Sequence, residues 1–250
     1  MVDHVSEARL DQIWRYPVKS LGGERVDSTP VTTGIPGDRL WAVRDRGTGA
    51  VVTAKREPRI LYAWAAIGAE GGLVVGVPGL AAPVSGPAVD DALSAWLDRP
   101  VEVVEWAAAT SADRFDYGFP LDLGAHSFGD CGDVLHLVGT ASLRRFGRDA
   151  SAGIDLAEAV RRSRPNLVLT TNRPYLEDAW VGRRLRVGEV ELSVRAATTR
   201  CVMVDRAQPG FAARETLMDG LFGTRAGALG VYAEVTRPGA LAPAPVEVLD

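Results

Sequence analysis

The residues with the most chemical potential in this 250-residue sequence are its cysteines, because a thiolate can ligate a metal or attack an electrophile. Cys201 closes the run Ala196-Ala-Thr-Thr-Arg-Cys201, which leaves an alternating stretch and continues through Val202 to Asp205. A neighbouring Arg200 stabilises a thiolate, whereas a small buried hydrophobe is the commoner fate of a free cysteine, so residue types alone leave both readings open. Cys131, inside Phe128-Gly-Asp-Cys-Gly-Asp133, has acidic neighbours that disfavour a thiolate and is read as structural. Asp205, four positions after Cys201, is either a proton relay or an ordinary exposed acid. The histidines His4, His126 and His136 do not fall at HExxH or HxH spacing, so a zinc site has little material. Gly-x-Gly-x-x-Gly, Gly-Lys-Ser/Thr and Gly-x-Ser-x-Gly are all absent, which removes the common phosphate loops and the hydrolase elbow.

Cys201 must be positioned by the segment before it. Arg184 to Arg195 alternates around Gly188-Glu189, with Leu185 and Val187 matched by Val190, Leu192 and Val194, which predicts a hairpin. Upstream, strands are expected at Val134–Val138 and Asn166–Thr170, separated by a helix opening at Thr140 or Ala141 and a second over Ile154–Arg162. In the first third, strands are expected over Val5–Arg15, Arg39–Arg44, Arg59–Ile67, Leu73–Val77 and Val101–Trp106, with one helix over Ala88–Leu97. Strands do not alternate regularly with helices, which argues against a doubly wound sheet. The expected fold is mainly β with accessory helices (α+β), barrel-like rather than open.

With 28 Lys+Arg against 32 Asp+Glu, the chain has no global cationic field to gather nucleic acid or an anionic membrane surface. Any anion site must be local. No apolar run reaches membrane-spanning length and no signal-like h-region follows the start, so the expected compartment is the cytoplasm.

Several motifs together carry a family resemblance. Tyr16-Pro-Val-Lys-Ser20, Gly37-Asp-Arg-Leu-Trp41 and Thr53-Ala-Lys-Arg-Glu-Pro-Arg59 are followed in order by Ala141-Ser-Leu143, Arg164-Pro-Asn166 and Tyr175-Leu-Glu-Asp-Ala-Trp180. The hairpin, Thr199-Arg-Cys201, Leu229-Gly-Val-Tyr232 and Pro238-Gly239 complete the set. The chain thereby resembles MOSC proteins related to the mitochondrial amidoxime reducing component. The resemblance implies a smaller β-rich N-terminal domain over residues 1–106, an interlobe loop over 107–129 and a β-barrel-like MOSC domain over 130–250.

It also implies a molybdenum cofactor (Mo-molybdopterin), with Cys201 ligating the metal as the catalytic residue. Lys19, Ser20, Arg39, Arg164, Asn166, Thr199, Arg200 and Tyr232 would bind the pterin and its phosphate. These types suit the task, since guanidinium forks grip phosphate oxygens and a soft thiolate suits a metal already held by sulfur. The function so implied is an oxidoreductase that removes oxygen from N-hydroxylated or N-oxygenated small molecules. Electrons would come from a separate donor protein, a ferredoxin or flavoprotein, because two cysteines cannot build a four-cysteine cluster. Two other classes stand beside it: a molybdenum-cofactor or sulfur carrier module using Cys201, and a thiol hydrolase in which His126 or His136 serves as base. Tyr175–Trp180 is read as structural.

Overall fold

The structure is a computed structural model that describes residues 7–105, 134–150 and 153–249. Cys131, His4, His126 and the interlobe loop at 107–129 lie outside the described residues. The chain divides into two compact units, one formed by 1–14, 25–36 and 133–250, the other by 15–24 and 37–132. As expected, the protein is mainly β, with four helices among the described residues.

The first unit is built on an eight-stranded sheet. Its strands are β1 (Ala8–Arg15), β2 (Glu24–Val26), β9 (Val134–Gly139), β10 (Leu167–Thr171), β11 (Arg184–Val187), β12 (Val190–Thr199), β13 (Ala228–Arg237) and β15 (Val246–Leu249). The order across the sheet is β15-β11-β12-β13-β9-β10-β1-β2. The small ladder of β3 (Thr29–Val31) with β14 (Gly239–Leu241) accompanies it. The hairpin is paired as its pattern predicts, with Val187 opposite Val190 and Leu185 opposite Leu192. Gly188 supplies the positive φ that its two-residue turn needs.

β9 and β10 run parallel, and the long connection this requires holds α2 (Thr140–Asp149) and α3 (Leu156–Ser163). Both helices pack, with α4 (Leu217–Arg225), against one face of the sheet through Val138, Leu143, Phe146, Val160, Leu221 and Leu229. The opposite face is lined by Leu135, Leu137, Leu192, Val194 and Val231. Two acids organise the helices. Asp155 caps α3 by accepting the Glu158 amide at 2.7 Å. Glu177 is fully buried and receives the Gly139 amide and the Ser142 hydroxyl at the start of α2; burial pushes its carboxyl above the usual range. Tyr175–Trp180 thus serves structure with Trp180 in the core as expected, but the reading of its acids as a solvated turn fails at Glu177, whose carboxylate is drawn inside by the Gly139 amide and the Ser142 hydroxyl.

The second unit holds β4 (Trp41–Asp45) paired with β8 (Val101–Glu105), the three-stranded sheet β5-β6-β7 (Trp64–Ile67, Leu73–Gly76, Val84–Ser85) and α1 (Ala88–Leu97). Leu21, Val43, Ile60, Leu93 and Leu97 are buried in it. One expected strand is wrong in its first half: Pro58–Tyr62 forms a 3-10 turn, and only Trp64–Ile67 is extended. Pro58 explains it, since its locked φ and missing N–H suit the first position of a helical turn rather than a ladder.

Candidate active site

β9 alternates between the two faces of its sheet. Leu135 and Leu137 enter one core, while Val138 lies under the helices, so His136 shares the helical face. Tyr232 sits opposite His136 in the β13 register, and the two rings lie 5.8 Å apart and tilted. Close approach of backbone is obligatory here. Gly230 has φ +82°, and a Cβ on it would fall 2.5 Å from His136 Nε2 and 2.4 Å from the Leu137 carbonyl oxygen.

Asn166, fully buried just before β10, holds three strands in register. Its Oδ1 accepts the His136 amide at 3.1 Å and its Nδ2 donates to the Trp14 carbonyl at 3.2 Å. Its backbone N–H reaches the His136 carbonyl and its carbonyl accepts the Trp14 amide. Arg164, which is 8% exposed, closes α3 in the left-handed region at φ 50°, its amide bonded to the Val160 carbonyl.

Arg200 reaches this cluster from the end of β12. Its Nη2 donates to the Ser163 carbonyl at 2.5 Å, and its Nη1 lies 3.5 Å from His136 Nδ1. The other ring nitrogen, Nε2, lies 3.0 Å from the Leu229 carbonyl, which can only accept, so Nε2 carries the proton and Nδ1 offers its lone pair to Arg200. Both ring nitrogens of His136 are thereby committed, which removes it as the base of a thiol hydrolase. Arg200 Nε is buried with no hydrogen-bond partner. Thr198 is fully buried and its Oγ1 has no partner either, whereas Thr199 is exposed. Eight buried side-chain atoms lack a partner among the described residues, and these two are set apart by lying within three positions of Cys201, where a ligand held by the thiol could supply the missing bonds.

Cys201 follows directly, half-buried, with extended φ and ψ, at the start of a 3-10 turn over Val202–Val204. Its carbonyl accepts the Val204 amide. Among the described residues no group of three or more His, Cys, Asp or Glu side chains could hold a metal ion, and none of them joins Cys201 in such a group. A thiol, an unpartnered guanidinium N–H and an unpartnered hydroxyl on three neighbouring positions do fit an anionic cofactor whose metal has a vacant place for sulfur.

Asp205 points elsewhere. Its carboxylate accepts the Leu217 and Met218 amides at the start of α4, so it caps that helix, while burial raises its pKa above the ordinary carboxylate value. Asp205→Ala is therefore expected to cost about 1 kcal/mol of stability in urea unfolding, a typical cap loss. Turnover should be retained, whereas loss of a proton relay would lower it by about 10²-fold or more.

In the second unit, Ser20 is buried at φ 69° and its hydroxyl accepts the Ala54 amide at 3.1 Å. Lys19 is half-buried, its amide bonded to the Trp41 carbonyl. Arg39 pairs with the buried Asp38 carboxylate and lies over the Tyr16 ring at 5.2 Å. Asp38 also accepts the Tyr16 amide, and the Arg39 and Trp41 amides reach the Tyr16 and Pro17 carbonyls, so the Gly37-Asp-Arg-Leu-Trp41 motif is tied to the Tyr16-Pro-Val-Lys-Ser20 motif.

Comparison with known proteins decides the family. The model for the MOSC N-terminal beta barrel domain matches residues 7–113, and that for the MOSC domain matches residues 124–248. The chain belongs to the MOSC family. Among curated relatives, it is 24% identical over 241 residues to a molybdenum cofactor sulfurase of Oryza sativa subsp. japonica, covering 82% of this chain but 29% of that protein. It is 24% identical over 242 residues to mitochondrial amidoxime reducing component 2 of Bos taurus, covering 80% of this chain and 69% of that protein. The chain thus spans under a third of the plant sulfurase. Among solved structures, the YUAD protein from Bacillus subtilis is similar over 96% of this chain and 94% of its own, at 13% identity and a TM-score of 0.46.

Thr198 went unmarked as a member of the site in the sequence, and His136 was weighed there only as a zinc ligand or as the base of a thiol hydrolase. His136 alone left a signal there, as the one polar residue of the apolar run Val134-Leu-His-Leu-Val.

Proposed function

We propose that this chain is a molybdenum-cofactor-dependent oxidoreductase that removes oxygen from N-hydroxylated or N-oxygenated small molecules. The observation that carries the reading is the set of adjacent positions 198, 200 and 201, which offers an unpartnered hydroxyl, an unpartnered guanidinium N–H and a thiol on a MOSC domain. Similarity to an amidoxime reducing component over 80% of the chain supports the choice of substrate class.

When bound, the cofactor supplies a two-electron redox centre that accepts the substrate's oxygen. The chain's own residues divide the remaining work. Cys201 would present its thiolate to the metal. Arg200 donates its free Nε–H to an anionic group of the cofactor, while Ser163 and His136 hold the guanidinium plane so that little rotamer freedom is lost on binding. The Tyr232 ring lies 5.8 Å from that of His136, beside the group that steadies Arg200. Thr198 Oγ1, buried without a partner in the chain, would pair with a donor or acceptor of the cofactor ring. Lys19, Ser20, Arg39, Arg164, Asn166 and Thr199 are assigned to the same cofactor by the family resemblance. For Asn166 the side-chain amide is used on the backbone of two strands, so its contribution is to place His136.

The test is metal analysis of protein made in a host that synthesises the cofactor, followed by reduction of an aromatic amidoxime with a viologen. Molybdenum near one per chain with amidine formed supports the proposal; metal-free, inactive protein from such a host sinks it. The proposed separate electron donor makes a further prediction: NADH alone should give no turnover, and adding a ferredoxin or flavoprotein system should restore it. Efficient NADH-driven turnover by the lone chain would contradict that.

A second reading has a specific observation behind it. Cys201 is half-buried rather than enclosed, and one relative is a molybdenum cofactor sulfurase, so the thiol can also be read as a carrier of the cofactor or of sulfur. Transfer to an acceptor apoenzyme without amidoxime turnover would favour it.

A further inference from the structure

α3 carries a side chain that the proposed chemistry does not use. Arg162 is fully buried, and each of its five N–H groups has a partner. Nε and Nη2 donate to Glu158 Oε1 at 2.8 and 2.6 Å. Nη1 donates to the carbonyls of Val204 and Arg206, each at 2.8 Å, and Nη2 also donates to the Ala212 carbonyl at 2.5 Å. Three carbonyls of the segment after Cys201 are thus gathered on one guanidinium. The next residue of the helix, Ser163, receives Arg200 from the segment before the cysteine. Two successive positions of α3 therefore hold the chain on both sides of Cys201.

The cost of this arrangement argues for a use. A fully buried guanidinium needs a charged partner and complete hydrogen bonding, and buried pairs of this kind are seldom the cheapest way to stabilise a fold. Between the 3-10 turn at Val202–Val204 and α4 the chain holds only the isolated Gln208–Phe211 bridge, so without the clamp the carbonyls at 204, 206 and 212 would have no protein partner of this strength. An ammonium could not replace the guanidinium, because it has three donors and no planar fork.

We infer that Arg162, oriented by Glu158, is the positioning residue of the Cys201 thiol: it fixes the backbone that carries Sγ rather than touching any ligand. The inference rests on the reading of Cys201 as the working thiol. Its test reads the thiol directly in cofactor-free protein, so failure of the molybdenum assignment leaves the test intact.

The full chain carrying Cys131→Ala, made in a host without the cofactor, is alkylated with a maleimide at fixed pH and Cys201 modification is followed by mass spectrometry. Arg162→Met and Glu158→Gln should change the rate by about tenfold in protein whose near-UV signal shows a folded core, since a freed segment no longer holds one thiol geometry. Arg162→Lys should fall between Arg162→Met and the parent. Arg161→Ala, one position away on the same helix, should match the parent. Rates within about twofold of the parent in folded Arg162→Met and Glu158→Gln would overturn the inference, because a merely stabilising pair lowers the melting temperature without altering the thiol of the folded state. Should those variants not fold, hydrogen exchange on the parent decides. The amides of Val204, Asp205 and Arg206 should exchange as slowly as those of α3, and exchange at the rate of an open loop would equally overturn it.

Discussion

Cys201→Ala is expected to reduce amidoxime turnover to background while leaving the melting temperature nearly unchanged. The two halves of this expectation come from different atoms. Sγ is proposed as the bond from the polypeptide to the metal, and a methyl cannot substitute for it. The rest of the residue is structurally undemanding: it is half-buried, and its backbone carbonyl, which holds the Val204 amide, is untouched by the substitution. Replacing a thiol by a methyl at such a site leaves at most a small void, worth on the order of 1 kcal/mol or less. Cys131→Ala should change neither quantity. The measurements are viologen-driven turnover and a thermal scan on the same preparations. Full activity in Cys201→Ala would remove the metal assignment, whatever the family match.

The second large effect concerns Arg200. Arg200→Ala should lower the molybdenum and pterin content of purified protein, and each lost charge-assisted hydrogen bond should weaken binding by about 1.5–3 kcal/mol, which is roughly ten- to 150-fold in Kd. The apo protein should also melt lower, because the Ser163 carbonyl and His136 Nδ1 lose their donor. Loading the parent with cofactor should raise its melting temperature, since a ligand bound only by the folded state stabilises it by mass action. Arg200→Lys should keep part of the cofactor, as an ammonium supplies charge without the planar fork. Arg164→Ala should follow the same pattern in cofactor content. If Arg200→Ala and Arg164→Ala both keep full molybdenum content and the parent's melting curve, the cofactor has been placed on the wrong residues.

Much of the fold was legible because its signals are local. The Gly188-Glu189 hairpin, α1, and the strand and helix that begin at Val134 and Thr140 each follow from periodicity and turn chemistry in their own residues. α4 was not expected. Its sequence contains Gly220 and Gly223, which lower helix propensity, and the side chain that caps its amides is Asp205, twelve residues upstream of the helix start at Leu217. A cap that comes from outside the helix leaves no local mark.

The site divides along the same line. Cys201 and Arg200 stand together in sequence and were named from it. Which of two adjacent threonines turns inward depends on the irregular β12–β13 register, where shifts occur between Val194 and Ala196 and between Ala197 and Thr199. Alternation counted along the sequence therefore could not separate Thr198 from Thr199. Arg162 was hidden for another reason. In the Arg161-Arg-Ser-Arg164 run, Arg161 is half-buried and Arg162 and Arg164 are both buried, and what sets Arg162 apart is its bonding to Glu158 and to carbonyls more than forty positions later. No residue type announces that.

The order of strands in the large sheet also bears on how the chain acquires its structure during synthesis. Ala8 in β1 pairs with Thr171 in β10, 163 positions later (171 − 8), and β13, which joins β12 to β9, ends at Arg237. At about 5–20 residues per second on the ribosome, β1 waits roughly 8–33 s for its partner. Such high contact order slows folding, because long loops must close before any pairing rewards them. By contrast, β4 and β8 pair within the second unit and both have been synthesised by Glu105. Nascent chains that stop short of β13 leave β9 with an open edge, and this is the stage at which the protein is most exposed to misassociation.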